Sequence, residues 1–199
     1  EILVLEDDRL PRVSLGLTLR RGAGSVDPKQ AGLAEIAAEV MQRGAGERDG
    51  LALAKVIEDA GASLSIGASW DATTVSLSGL SKDRALFEEI LADVALRPRF
   101  EASEFEKARG EHLAGLASAF DEPSTLIRWH FLRTLYEGHA YGLPEEGSPE
   151  TLAALRVEGD VDPAAVGDAA HLRGEVLGVI VDRVVEARGA QVLVLGGRR

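Results

Sequence analysis

Two carboxylates in one short segment are the side chains of this chain best placed to carry out chemistry. Glu35 and Glu39 lie four residues apart. Apolar residues recur around them at helical spacing: Leu33, Ile36, Ala37, Val40 and Met41. This pattern predicts a helix with one apolar face and with Glu35, Ala38 and Glu39 on the opposite face. Two carboxylates one turn apart could bind a hard cation such as Ca²⁺. A pair of this kind on a polar helix face is more often simply solvated.

The same three positions have the spacing of an inverted zinc motif, H-x-x-E-H. In that motif two histidines bind the metal and the glutamate accepts a proton from zinc-bound water. Here the first histidine position is Glu35, the glutamate position is Ala38 and the second histidine position is Glu39. The segment therefore has the frame of a zinc helix, but it supplies no imidazole ligand and no general base.

The remaining candidates are isolated aromatic and imidazole side chains. His139 and Tyr141 lie in a predicted loop and could contact a substrate or a partner, although residues of this kind more often anchor the loop. His112 lies at the edge of a predicted apolar helix face and is interpreted as a packed histidine rather than as a metal ligand. One helix carries an aromatic and aliphatic stripe that is predicted to be core: Trp129, Phe131, Leu132 and Leu135.

Composition excludes several classes of protein. The 199 residues are 45% hydrophobic, enough for a sizeable core, and the formal net charge of −11 gives no basic footprint for nucleic acid. The absence of cysteine excludes disulfides and thiolate metal sites, and it is compatible with either a cytoplasmic or a periplasmic location. No membrane span is predicted. The chain begins at Glu1 rather than at a methionine, which indicates a processed product or part of a longer one.

Hydrophobic periodicity predicts how the chain is organised. Strands are expected at residues 13–20, 62–67 and 73–79, the last two forming a hairpin. Helices are expected at residues 28–43, 49–59, 81–95, 104–120, 124–136 and 149–155. A hairpin in the first half and helices gathered in the second predict an α+β fold. The expected architecture is a two-layer sandwich, a mainly antiparallel sheet with helices packed on one face.

Seven short markers occur in a recognisable order along residues 1–155. They are the strand at 13–20 followed by RGAGSVD (21–27), GLA (32–34) before the zinc-helix position, Gly44 after it, IEDAGA (57–62), WDAT (70–73), LADV with RPRF (91–100), and LYEGHAYG (135–142). Together they resemble one structural repeat of the pitrilysin, insulinase and mitochondrial processing peptidase superfamily. The resemblance implies that family's metallohydrolase repeat fold.

In that family both histidines of the motif and a glutamate on a later helix hold the zinc. Carried over by position, the distal glutamate falls at or next to Gly115, and all four functional positions depart from the pattern: Glu35, Ala38, Glu39 and Gly115. The resemblance therefore implies a degenerate repeat with no catalytic residues, no metal and no cofactor of its own. Zinc is expected only in an active partner.

Three functional hypotheses follow from this resemblance. The first is a non-catalytic subunit or half that pairs as a heterodimer with an active H-x-x-E-H subunit or repeat and helps to form its peptide-binding chamber. The second is a structural core subunit without a role in proteolysis. The third is a hydrolase that uses another metal at Glu35 and Glu39. The first is favoured, because the motif frame is present and its catalytic residues are not.

The C-terminal region is assigned separately. Residues 1–157 are interpreted as the metallopeptidase-like repeat, and residues 158–199 as its remainder or as the start of a following segment. The sequence GDVDP (159–163) resembles a turn of the family, but the segment that normally precedes it is shortened here. A helix is expected at residues 164–187 and a strand at residues 191–195.

Overall fold

The computed structural model describes residues 2–6, 9–157 and 190–196 of the chain. Its strands are β1 (Ile2–Glu6), β2 (Arg12–Leu19), β3 (Gly44–Ala45), β4 (Arg48–Asp49), β5 (Ser63–Ala68), β6 (Thr73–Leu80) and β7 (Ala190–Gly196). Its helices are α1 (Leu33–Met41), α2 (Gly50–Asp59), α3 (Arg84–Leu96), α4 (Ala102–Phe120), α5 (Pro123–Leu135) and α6 (Pro149–Ala154). Single 3₁₀ turns form at Ala23–Ser25, Pro28–Gln30, Ser81–Asp83 and Ala140–Gly142.

Five of the strands form one sheet in the order β1-β7-β2-β6-β5. Its pairings are antiparallel except for β2 with β7, which run parallel. The predicted hairpin of β5 and β6 is present. The predicted C-terminal strand is β7, which is inserted between β1 and β2. The short β3 and β4 form a separate two-stranded hairpin that the sequence did not predict.

One face of the sheet carries the core. Every second residue of β2 is buried, from Val13 to Leu19, and the residues between them are half-buried. Helices α1 and α3 pack on the buried face, where Ile36, Phe87 and Ile90 are fully enclosed. This alternation is what a sheet covered by helices on one side requires. The α+β sandwich predicted from the sequence is therefore confirmed.

Helix α1 differs from the prediction in its start and in its burial. A 3₁₀ turn at Pro28–Gln30 and a left-handed Gly32, with φ of 93°, separate it from the preceding residues, so it begins at Leu33. It contacts β5 on one side and α4 on the other. Ala38, predicted to lie on a polar face, is only 2% exposed. That prediction was wrong because α1 has two covered sides rather than one.

Helix α5 was predicted to be a core helix, and this prediction was also wrong. Phe131 and Leu135 are exposed, while Trp129 and Leu132 are half-buried. Periodicity identified the helix but could not show which side of it faces the protein.

The helix expected at residues 164–187 lies outside the described residues. Within the described part of the chain, no helix is both long and apolar enough to cross a membrane.

Candidate functional site

Helices α1 and α4 lie against each other at the position where the sequence places a zinc helix. Arg43, two residues past the end of α1, lies 3.7 Å from Glu104 and 2.5 Å from Glu111 on α4. One turn back along α1, Glu39 contacts His112, which lies one position further along α4 than Glu111. The two helices therefore run antiparallel, and side chains from both converge on the second histidine position of the motif.

Both carboxylate oxygens of Glu39 are used by protein partners. Oε1 accepts a hydrogen bond from the guanidinium of Arg43, and Oε2 lies 2.7 Å from Nε2 of His112. The hydrogen bond from Arg43 also holds the pKa of Glu111 below its usual value. Glu39 was expected to be solvated in water, and the structure shows it in a network of ion pairs instead. This network is defined here as the Glu39 network: Glu39, Arg43, Glu104, Glu111 and His112.

Glu35, at the first histidine position, is half-buried. Burial is the main cause that raises the pKa of its carboxyl, and the nearby carboxylates of Glu146 and Glu145 add to it, so that the pKa is about 7. These two residues are close because the loop that holds them packs tightly on the start of α1. A Cβ atom added to Gly32 would lie 2.8 Å from the carbonyl oxygen of Glu146. Glu35 is thus held among like charges rather than near a cation.

This environment makes the free energy of unfolding depend on pH. The folded pKa of Glu35, about 7, lies above its unfolded value of 4.5, so its contribution to stability is complete below pH 4.5 and is lost as the pH rises to 7. We expect Glu35→Gln to stabilise the protein by about 2 kcal/mol at pH 8 and by almost nothing at pH 4.5. Urea denaturation at the two pH values measures the difference. The exposed Glu137→Gln is the control, and an equal gain in both variants at pH 8 would contradict the assignment.

The other two motif positions have opposite environments. Ala38 is buried where α1 packs against neighbouring elements. Gly115 is exposed on α4, and a Cβ atom added to it would meet nothing within 4 Å. Glu39 lies opposite His112, and the two helices run antiparallel. One turn back along α1 therefore corresponds to about one turn forward along α4, which places Glu35 level with Gly115. The position of the distal glutamate therefore has room for a side chain but carries none.

The residues present here do not fit a zinc ion. A zinc site needs at least three histidine, cysteine or carboxylate ligands in one place. Among the described residues, no group of three or more such side chains is arranged to hold a metal. His112, the imidazole that lies next to α1 here, already contacts the carboxylate of Glu39. Arg43 pairs with the same carboxylate, so a metal ion bound to Glu39 would lie beside a positive charge.

His139 and Tyr141 lie together on the loop between α5 and α6. Their rings are 4.7 Å apart, and Nδ1 of His139 accepts a hydrogen bond from the backbone N–H of Tyr141. The hydroxyl of Tyr141 donates to Oδ1 of Asp71 over 2.5 Å, and its ring lies 5.4 Å from that of Trp70. These contacts anchor the loop to the β5–β6 hairpin. Contact of His139 and Tyr141 with a substrate or a partner stays a prediction.

The ion pair between Arg43 and Glu39 was not predicted from the sequence, although the spacing of the two residues could have indicated it. Arg43 follows Glu39 by four residues, which is the spacing of a helical ion pair. The sequence interpretation also missed the pairing of Asp93, a buried carboxylate at the end of α3 that two arginines hold. That pairing depends on Arg48, which comes from a different element and is distant in sequence.

Comparison with known proteins places these observations in a family. Residues 2–147 match the family model described as Insulinase (Peptidase family M16). The cytochrome b-c1 complex subunit 1 of Caenorhabditis elegans is 28% identical over 153 residues, which is 77% of this chain and 31% of that protein. The mitochondrial-processing peptidase subunit beta of Bos taurus is 26% identical over 157 residues, which is 79% of this chain and 32% of that protein.

The fold agrees with this family. The crystal structure of a peptidase M16 inactive domain from Pseudomonas fluorescens matches with a TM-score of 0.75 at 21% identity, covering 98% of this chain and 43% of that one. The chain spans about a third of the length of the curated relatives it matches. The resemblance inferred from the sequence is confirmed, and the chain belongs to the insulinase family of peptidases, family M16.

Proposed function

We propose that this chain is a catalytically degenerate half of a zinc metallopeptidase assembly. It pairs with a subunit or repeat that has an intact H-x-x-E-H motif, and it helps to form the chamber that binds the peptide. The observation that carries this proposal is the Glu39 network. The carboxylate at a ligand position forms an ion pair with Arg43 and a hydrogen bond with His112, so the α1–α4 contact is stabilised by these side chains instead of by a metal.

The edge of the sheet supports a role in holding peptide. Strand β5 lies at the end of the sheet and beside α1, and its six residues include no charged side chain and no proline. An extended peptide can add to such an edge through main-chain hydrogen bonds. The carbonyl of Ile66 in β5 already accepts a hydrogen bond from Nε2 of Gln42 over 3.2 Å. An incoming strand would have to displace Gln42 at that position.

The proposal predicts that the isolated chain cleaves no peptide. Neither Glu35 nor Glu39 is placed to bind a metal, and no general base stands at position 38. A library of fluorogenic peptides incubated with the pure chain and with added zinc should show no turnover above the rate of the buffer. Chelator-sensitive cleavage that Glu35→Ala or Glu39→Ala abolishes would overturn the proposal.

Reconstitution tests the positive part of the proposal. Adding an H-x-x-E-H subunit that co-purifies with this chain should give zinc-dependent cleavage faster than that of the subunit alone. The control is the same partner with its motif glutamate changed to glutamine, which should remove all cleavage. If this chain forms the complex but changes neither the rate nor the KM, the role in the chamber is wrong.

A structural core subunit is the second candidate. It is favoured by the match to a protein named as a subunit of the cytochrome b-c1 complex. The partners that co-purify with the chain discriminate between the two roles. A complex that contains no H-x-x-E-H chain supports the structural role.

A further inference from the structure

The loop that joins the 3₁₀ turn at Ala140–Gly142 to α6 packs on the start of α1. This segment, residues 143–148, is named here the Glu146 loop. A Cβ atom added to Gly32 would lie 2.8 Å from the carbonyl oxygen of Glu146, and a Cβ atom added to Gly147 would clash with the carbonyl oxygen of Ala31. The backbones of the loop and of the residues that begin α1 therefore meet with no side chain between them.

Three carboxylates gather at this contact. Glu35 lies in the first turn of α1, and Glu145 and Glu146 lie in the loop. Burial and then the charge of Glu146 raise the pKa of Glu145. Oε2 of Glu146 is buried, and among the described residues it has no hydrogen-bond partner. A buried carboxylate oxygen without a donor is unfavourable, so the loop lies on α1 although its charges oppose the contact.

The charged groups that face this cluster from the surrounding elements are mostly acidic: Glu39 of α1, Asp71 of the β5–β6 turn and Arg128 of α5. Arg128 lies 3.4 Å from Oε1 of Glu146, on the solvent side of the loop. Strand β5, which also contacts α1, carries no charged side chain. The charged residues of α4 that reach α1 belong to the Glu39 network, one turn further along α1. The carboxylates therefore outnumber the cation that faces them.

A proton on Glu35 decides how unfavourable this contact is. Burial, followed by the charges of Glu146 and Glu145, raises the pKa of Glu35 from 4.5 to about 7 while the loop is in place. A loop that has lifted away exposes the carboxyl to water and to fewer like charges, which returns its pKa towards 4.5. The closed loop thus binds the proton more tightly. Closure is most favourable below pH 4.5 and loses this advantage as the pH rises to 7.

Two fixed points limit any motion to the loop itself. Before the loop, the hydroxyl of Tyr141 donates to Asp71 over 2.5 Å. After the loop, Ser148 caps α6, and Leu152 of that helix is fully buried. Local openings between such points need less free energy than unfolding of the whole domain. The loop can therefore lift while the sheet and the helices stay folded.

We propose that the Glu146 loop is a proton-controlled flap. It stays on the start of α1 while Glu35 is protonated, and it lifts when Glu35 ionises beside Glu145 and Glu146. The flap also covers a small cavity that is lined by Trp70 and Trp129, and lifting it opens this cavity to solvent. The proposal goes beyond the proposed function, since it concerns regulation within this chain and requires no partner.

Amide hydrogen exchange of the whole chain at pH 5 and at pH 8 tests the proposal. The backbone N–H of Gly147 donates to the carbonyl of Pro144 over 3.1 Å and reports on the flap. Its protection factor, corrected for the pH dependence of chemical exchange, should fall about tenfold or more between the two pH values. The N–H of Gly61 at the end of α2 donates to the carbonyl of Glu58 over 2.9 Å, and its protection should not change.

Variants assign the effect to the carboxylate cluster. Glu35→Gln keeps the size of the side chain but cannot ionise, so the protection of Gly147 should be equal at the two pH values. Glu146→Gln removes one of the opposing charges and should reduce the pH dependence. Glu137→Gln is the matched control, since Glu137 is exposed on the other side of Tyr141, and it should behave as the wild-type chain does.

Three results would overturn the proposal. They are a protection factor of Gly147 that is the same at pH 5 and pH 8, a fall with pH that Glu35→Gln leaves unchanged, and an equal fall at Gly61. The last result would show that the whole domain opens rather than the loop. Because no peptidase is used, a chain without an H-x-x-E-H partner can still show the flap, and the two proposals fail separately.

Discussion

Asp93→Ala should lower the free energy of unfolding by about 3 kcal/mol, the largest loss expected from a single charged residue in this protein. Asp93 is 3% exposed, and both of its oxygens are occupied. Oδ2 accepts from Arg48 over 3.1 Å, and Oδ1 accepts from Nε of Arg97 over 3.1 Å. Alanine would remove the carboxylate that Arg48 and Arg97 share and would leave Arg48 with Glu89 alone, 2.6 Å away.

The loss should reach beyond one ion pair, because Asp93 lies under the turn between β3 and β4. A Cβ atom added to Gly46 of that turn would lie 2.4 Å from Oδ2 of Asp93. The backbone N–H of Gly46 donates to the carbonyl of Arg97 over 2.8 Å. We therefore expect faster amide hydrogen exchange in residues 44–49 of the variant, together with a lower urea midpoint.

Asp59→Ala is the matched control. Asp59 also pairs with a basic residue one helical turn away, with its carboxylate 2.8 Å from Nζ of Lys55, but both side chains are about two-thirds exposed. Exposed pairs of this kind contribute about 0.5 kcal/mol or less. If the two variants lose equal stability, burial of Asp93 is not what makes its pairing important.

Restoring the three ligand positions should create a zinc site. We expect the triple variant Glu35→His, Glu39→His, Gly115→Glu to bind one Zn²⁺ per chain at least about 100-fold more tightly than the wild-type chain. Two histidines four residues apart on α1 would face a carboxylate from α4, and Gly115 has open space for that side chain. Competition with a zinc-binding dye and metal analysis of the dialysed protein measure the affinity and the stoichiometry.

A glycine on the same helix provides the control for position. Gly110 is also exposed, with nothing within 4 Å of an added Cβ atom, but it lies five residues from Gly115 and so on another side of α4. The variant with Gly110→Glu in place of Gly115→Glu should bind zinc no better than the two histidines alone. Equal affinity in both triple variants would show that Gly115 is not the position of the distal ligand.

Local patterns predicted most of the fold. Alternation of apolar residues identified β2 and β6, and helical periodicity identified α1 to α6 to within a few residues at most ends. The start of α1 was misplaced because Gly32 adopts a left-handed conformation, a property of backbone geometry that periodicity does not report. The short β3–β4 hairpin was missed because two-residue strands have no period to detect.

The motif positions stay a prediction from the resemblance, and the sequence did not predict the surroundings of the side chains at those positions. Resemblance located Glu35, Ala38, Glu39 and Gly115, and the structure brings α1 and α4 together there. The pairing of Glu39 with His112 joins residues 73 positions apart, so only the tertiary fold could show it. Likewise, the raised pKa of Glu35 comes from its burial and from carboxylates of a distant loop.

The hydrogen bond from Gln42 to β5 has a consequence for the chain before it meets a partner. An open sheet edge is a template on which identical chains can stack. The side chain of Gln42 already donates a hydrogen bond to the carbonyl of Ile66. Two copies of β5 can therefore pair along their full length only after this bond is broken in both molecules. Edge-to-edge pairing of identical chains through β5 therefore costs one hydrogen bond in each molecule, on the order of 1 kcal/mol per chain.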